Sequence, residues 1–163
     1  VKRLLIVFHS TTGGTRAMAG AAARAARDAA DLQVDLLAAA AAAPSDVLAA
    51  DGYVFATPET LAAISGPMKD FFDRSYYPAL GQIAGRPYAA LICAGSDGQN
   101  AARQMARIAT GWRLRQVASP VIVCTHAQTP EAIMAAKVIG AEDLARCAEL
   151  GAALAVGLGM GIF

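Results

Sequence analysis

The strongest constraint on this chain is an alternation of five apolar, largely β-branched runs with segments of helical periodicity. The runs are Leu4 to His9, Leu32 to Leu37, Gly52 to Thr57, Arg86 to Cys93 and Val117 to Cys124. Helical segments are read from Thr15 to about Ala30, from Pro44-Ser45-Asp46 to Ala50 with Ser45 as N-cap, and from Gly66-Pro67 through Ser75. Two more run from Asn100 to Trp112 and from Ala141 to Leu158. No paired-strand hairpin signal is visible, and Thr57 to Ser65 reads as a loop. Strands that alternate with helices pair in parallel, because each crossover returns the chain to the same edge, and the helices then cover both faces of the sheet. LLIVFH is apolar throughout, as a strand buried on both faces must be, whereas LQVDLL alternates and belongs nearer an edge. The pattern continues across all 163 residues without linker or repeat, so a single domain is expected.

Hydrophobic residues make up 56% of the chain and charged residues 17%, a balance that excludes disorder. Much of that apolarity is alanine, which favours helices but buries little area. The apolar surface this leaves is compatible with a homo-oligomer. The net charge is +1 and the basic residues are scattered, so no nucleic-acid face is expected. Nor is there the acidic excess of a protein that docks basic redox partners. Cys93, Cys124 and Cys147 are odd in number and lack CxxC spacing, which predicts reduced thiols, a cytoplasmic setting and no metal site. The first apolar run is too short for a signal peptide, and charges interrupt the alanine tracts, so no membrane span is expected.

In an open parallel sheet, ligands bind beyond the carboxyl ends of the strands. The chain leaving the first strand reads Ser10, Thr11, Thr12, Gly13, Gly14, Thr15 and enters a helix directly. Four hydroxyls and two glycines at a helix start suit a phosphate, since backbone N–H groups and the helix dipole both favour an anion there. Helix capping alone needs one hydroxyl. A Walker loop is excluded by the missing Gly-Lys-Ser/Thr ending, and the spacing is not the GxGxxG of dinucleotide folds. No aspartate pair marks a receiver domain, and no cysteine precedes an arginine at phosphatase spacing.

FHSTTGGTRAMA resembles the phosphate loop of the flavodoxin family, with Ser10, Thr12, Gly13 and Thr15 on its (T/S)-x-T-G-x-T pattern. TPETLAAISGPMKDFFDR resembles a longer signature of flavodoxin-like NAD(P)H:quinone and FMN-dependent oxidoreductases, carried by Thr57, Pro58, Ser65, Gly66, Met68, Lys69, Phe71, Asp73 and Arg74. The resemblance implies a flavodoxin-like three-layer α/β sandwich whose five-stranded parallel sheet has the order 2-1-3-4-5. It also implies bound FMN, its phosphate on Ser10 to Thr15 and its ring along Pro58, Glu59, Thr60 and Leu61. The loop Ala94, Gly95, Ser96, Asp97, Gly98 occupies the place of the family's second flavin-contacting loop; its small residues permit close backbone approach, with Asp97 as a candidate helix cap.

Two features depart from electron-shuttling flavodoxins: neither flavin loop holds Trp or Tyr, and the charge is near neutral. An uncovered ring face admits a second planar molecule. The reading therefore leans to an enzyme passing hydride from NAD(P)H through FMN to a quinone or other small oxidant. The alternative is a one-electron carrier without NAD(P)H activity of its own. No catalytic side chain is assigned. His126 is a candidate substrate contact, Tyr76 and Tyr77 are read as packing residues or contacts to a neighbouring subunit, and His9 as packing or loop support. Trp112, Cys93 and Cys124 are read as packing.

Overall fold

The computed structural model describes residues 1–163, and its first strand explains the layers. β1 (Arg3–Phe8) sends Leu4, Ile6 and Phe8 to one face and Leu5 and Val7 to the other, none more than 5% exposed. β2 (Gln33–Ala38) and β3 (Gly52–Thr60) flank it in parallel register. The two-residue β4 (Ala63–Ile64) folds back antiparallel on β3. β5 (Pro87–Ala94), buried at every position, pairs with the other side of β3. β6 (Arg115–Gln116) and β7 (Val121–Cys124) both lie parallel along its outer edge. Counting β6 and β7 as one interrupted strand and setting β4 aside, the order is the expected 2-1-3-4-5.

Two cores follow from the alternation. On one face, α1 (Gly14–Ala29) and α6 (Ala141–Gly159) pack over Leu4, Ile6, Val54, Ala89 and Leu91. Ala19, Ala22, Ala23 and Ala26 are buried along α1, and these small side chains let α6 approach closely. The approach is tightest at Gly151, where an added Cβ would sit 2.2 Å from the Ala22 carbonyl oxygen. Cys147 is buried in the same core, and burial pushes its thiol pKa up to about 11.

On the other face, α3 (Gly66–Ala79) and α4 (Gln99–Gly111) cover an aromatic cluster centred on Phe55. Phe72 meets Phe55 edge-on at 5.0 Å, and Trp112 meets both rings edge-on. Such pairs add about 0.5–1.5 kcal/mol each beyond area burial. Trp112 is thus the packing residue expected. α2 (Pro44–Ala49) packs on α3. Arg74 donates to the Ala39 and Ala42 carbonyls at 2.7 and 3.0 Å, fastening the alanine tract that precedes α2. Arg86 donates to the Leu48 and Ala50 carbonyls at α2's other end.

The structure corrects several sequence readings. Thr57 to Ser65 is not a loop but the end of β3, a two-residue turn and β4, so a hairpin exists where none was expected. The fifth strand does not run unbroken from Val117: the Val117 N–H still bonds the Tyr88 carbonyl at 3.1 Å, but Pro120 has no N–H to continue the ladder. Ser45 is not the N-cap of α2. Ala43 holds that position, and the Asp46 carboxylate accepts its N–H at 2.8 Å. α3 continues past Ser75, with Pro78 tolerated in its last turn. α5 (Pro130–Met134) was not anticipated.

The α1–α6 approach yields a direct test. Gly151→Ala places a methyl against backbone that cannot move aside, so unfolding free energy should drop by about 2 kcal/mol or more, lowering Tm by roughly 4–8 °C for a domain of this size. An unchanged melting curve would show that the two helices are not in this contact.

Candidate functional site

The carboxyl ends of β1, β3, β5 and β7 open into one cavity of about 420 Å³. It lies where strand order reverses between β1's two neighbours, the position expected for a ligand in this architecture. Each wall comes from a different strand-leaving segment.

The first wall is the hydroxyl-rich turn before α1. Ser10, Thr11, Thr12, Gly14 and Thr15 line the cavity. Gly13 takes φ 96°, in the left-handed region, and its N–H bonds back to the Ser10 hydroxyl at 3.0 Å. That bend aims the start of α1 at the cavity. Gly14 is glycine for another reason: its Cβ would stand 2.8 Å from the Cys93 sulfur on β5. α1 receives no side-chain cap and has no acidic residue in its first turn. Its leading N–H groups are therefore available to an anionic ligand.

Pro58, Glu59, Thr60 and Leu61, all four expected, form the second wall. Leu61 and Ala62 form the turn with φ of 49° and 61°, a backbone conformation unusual outside glycine. Leu61 projects almost wholly into solvent, at 97% exposure. α4 holds this turn in place. The Glu59 carboxylate accepts the N–H groups of Gly98 and Ala101 at 3.0 and 3.1 Å. Asn100 donates to the Ala62 carbonyl, and the Ile64 N–H donates to Gln104 at 2.8 Å. Glu59 thus caps α4 from another strand; Asp97 does not, because Gly98 (φ 81°) is the N-cap and no side chain of its own segment bonds there.

The third wall is shorter than expected. Ala94 and Gly95 line the cavity; Ser96, Asp97 and Gly98 do not. Gly98 is small because its Cβ would meet Ile122 at 2.6 Å, a packing constraint behind the wall. Gly13 likewise shapes the site without lining it. Cys93, expected as packing, also lines the cavity, and residues not singled out by the sequence complete the enclosure: Thr125, Ala127, Ile133 and Lys137. Burial raises the Cys93 pKa, partly offset by the Thr15 hydroxyl and the Lys137 charge.

Within the long signature, Thr57 and Ser65 close the loop. The Ser65 N–H donates to the Thr57 hydroxyl at 3.1 Å, and the Ser65 hydroxyl lies 2.9 Å from His9 Nδ1. These bonds tie the ends of β1 and β3 to the start of α3, so His9 is the loop support expected of it. Burial holds the His9 pKa below the ordinary imidazole value, favouring the neutral ring. Met68 and Phe71 are core, while Lys69 and Asp73 pair on the surface at 2.7 Å. His126 takes φ 57° and donates its N–H to the Gly95 carbonyl at 2.7 Å; its exposed ring is absent from the lining. Tyr76 and Tyr77 stack on each other at the far end of α3, away from the cavity.

Four hydroxyls and an uncapped helix start fit a phosphomonoester. Backbone walls at 58–61 and 94–95, with no aromatic side chain, leave room for a flat ring. A family model described as NADPH-dependent FMN reductase matches residues 32–129. A flavodoxin of Aquifex aeolicus (strain VF5) is 32% identical over 96 residues, covering 59% of this chain and 52% of the relative. An NAD(P)H dehydrogenase (quinone) of Acidithiobacillus ferrooxidans is 30% identical over 95 residues, covering 46% of this chain and 48% of the relative. The chain thus spans about half the length of these curated relatives. A solved flavodoxin from the domain Archaea superposes with a TM-score of 0.77 at 18% identity, covering 96% of this chain and 98% of that one. No helix is long and apolar enough to cross a membrane.

Two outcomes are expected of the network that shapes the cavity. Glu59→Ala should destabilise the fold by about 1–2 kcal/mol, the usual worth of a lost N-cap, with Glu59→Gln nearer wild type; denaturant titration measures both. Because the folded His9 pKa lies below its unfolded value, its contribution is fully present above pH ~6.5 and is lost as pH falls through the folded pKa. His9→Asn should accordingly flatten the decline in stability as pH falls below about 6.5, which denaturation at stepped pH would reveal.

Proposed function

We propose, because the chain belongs to the NADPH-dependent FMN reductase family, that it binds FMN and passes hydride from NAD(P)H through that flavin to a quinone or another small acceptor. Bound FMN supplies the redox chemistry; the protein supplies binding, orientation and electrostatics. The observation that carries this reading is the uncapped start of α1, opening with four hydroxyls into a cavity shared with the 58–61 and 94–95 backbone.

Ser10, Thr11, Thr12 and Thr15 donate hydroxyls to the phosphate, beside the N–H groups of Gly14 and Thr15. Charge-assisted bonds of this type contribute roughly 1.5–3 kcal/mol each, so several hold a dianion. Pro58 to Leu61, with Ala94 and Gly95, would flank the ring. Gly13 and Gly98 act behind these contacts, through the turn and the packing that place them, and Ser96 and Asp97 complete the third loop. Glu59 is committed to α4 and performs no proton transfer in this scheme. No Trp or Tyr lines the cavity, which leaves a ring face open to nicotinamide and then to the acceptor. The same reading takes residues 1–163 as one FMN-binding domain.

Calorimetry should show uptake of FMN by the apoprotein, and anaerobic NADPH should then bleach the flavin absorbance within seconds. FMN uptake without bleaching would turn the assignment to an electron carrier; no uptake would remove the redox role altogether. Thr12→Ala should weaken FMN binding about tenfold, the loss of one charge-assisted bond, as read by fluorescence titration.

A further inference from the structure

Lys137 is the only cation among the residues lining the cavity, and it comes from a segment that no sequence motif marks. Its backbone N–H donates to the Thr12 carbonyl at 2.8 Å, fixing it to the hydroxyl-rich turn. Its Cβ lies 3.4 Å from where a Gly14 Cβ would stand, directly beside the start of α1. The charge is felt at the cavity floor, where it favours the Cys93 thiolate. Yet Nζ is turned toward α5, donating to the carbonyls of Ala132, Ile133 and Ala135 at 2.8, 2.8 and 2.7 Å. α5 buries none of its residues, so this cap and the Thr129 N-cap are its side-chain supports.

We propose that Lys137 is the residue selecting a phosphorylated flavin: on binding, its ammonium leaves the three α5 carbonyls and pairs with the FMN phosphate held by Thr12 and the start of α1. This rests on the FMN reading above. The exchange is downhill, because a dianion is a stronger acceptor for an ammonium than neutral carbonyls are. Its stem is already anchored beside the turn, so only side-chain torsions change. The carbonyls released at α5 are exposed and pass to water. One residue would then both pair with the phosphate and loosen α5, making α5 sensitive to the phosphate and not to the ring.

Fluorescence titration of wild type, Lys137→Met and Lys137→Arg with FMN and with riboflavin tests this. Wild type should prefer FMN, and Lys137→Met should weaken FMN binding about tenfold or more while riboflavin affinity stays within about threefold. Lys137→Arg should keep most of the preference. Amide exchange at Ile133 and Ala135 should be faster in the FMN complex than in the riboflavin complex. Equal weakening of FMN and riboflavin by Lys137→Met would overturn the assignment and leave Lys137 a structural cap. Absence of FMN uptake by wild type would instead overturn the flavin reading itself, and this assignment with it.

Discussion

The burial of β1, β3 and β5 on both faces is the constraint from which the rest of the molecule follows. Leu4, Ile6 and Phe8 cannot share a face with Leu5 and Val7, so each strand needs two apolar partners, one above the sheet and one below. Helices supply them. Covering crossovers in turn hold the strands parallel, and parallel strands gather their exits along one edge. The cavity is a consequence: the turns at residues 10–15, 58–61 and 94–95 leave parallel strands at the same end of the sheet and meet there.

The helix N-termini at the strand exits are not all treated alike. The first N–H groups of α4 are occupied by Glu59, a carboxylate delivered from β3. Those of α1 are given no carboxylate and no side-chain cap. A helix start carries partial positive charge that something must satisfy. The start of α3 likewise has no side-chain cap, but of the three only the start of α1 lines the cavity. The same Glu59 also fixes the turn that carries Leu61, so this cavity wall is set by the helix that has been capped.

Small residues matter here for what they exclude. Gly151 and the alanines of α1 bring two helices so close that backbone meets backbone. Gly14 does the same between the turn and Cys93, drawing the hydroxyls over the strand ends. An alanine-rich chain therefore obtains its cohesion from close approach on one face. On the other, the large rings of Phe55, Phe71, Phe72 and Trp112 fill a wider gap.

The layers and the hydroxyl-rich turn were legible in the sequence, because they depend on local quantities: apolar period, hydroxyl density and glycine at a helix start; the strand order was implied by the resemblance to the flavodoxin family. Strand boundaries failed where tertiary pairing overrode the local signal, as at the 57–65 hairpin, which α4 fastens through Asn100 and Gln104. The 94–98 loop divides for a related reason: Ala94 and Gly95 line the cavity, and Ser96, Asp97 and Gly98 do not. Smallness in the sequence does not say whether the close neighbour is a ligand or Ile122. Lys137 was invisible, being more than a hundred residues from the turn it joins. Sequence by itself determined which residue types face inward and where an anion could be held; only the folded chain decided which distant side chains close around that place, since contact between remote segments leaves no periodicity to read.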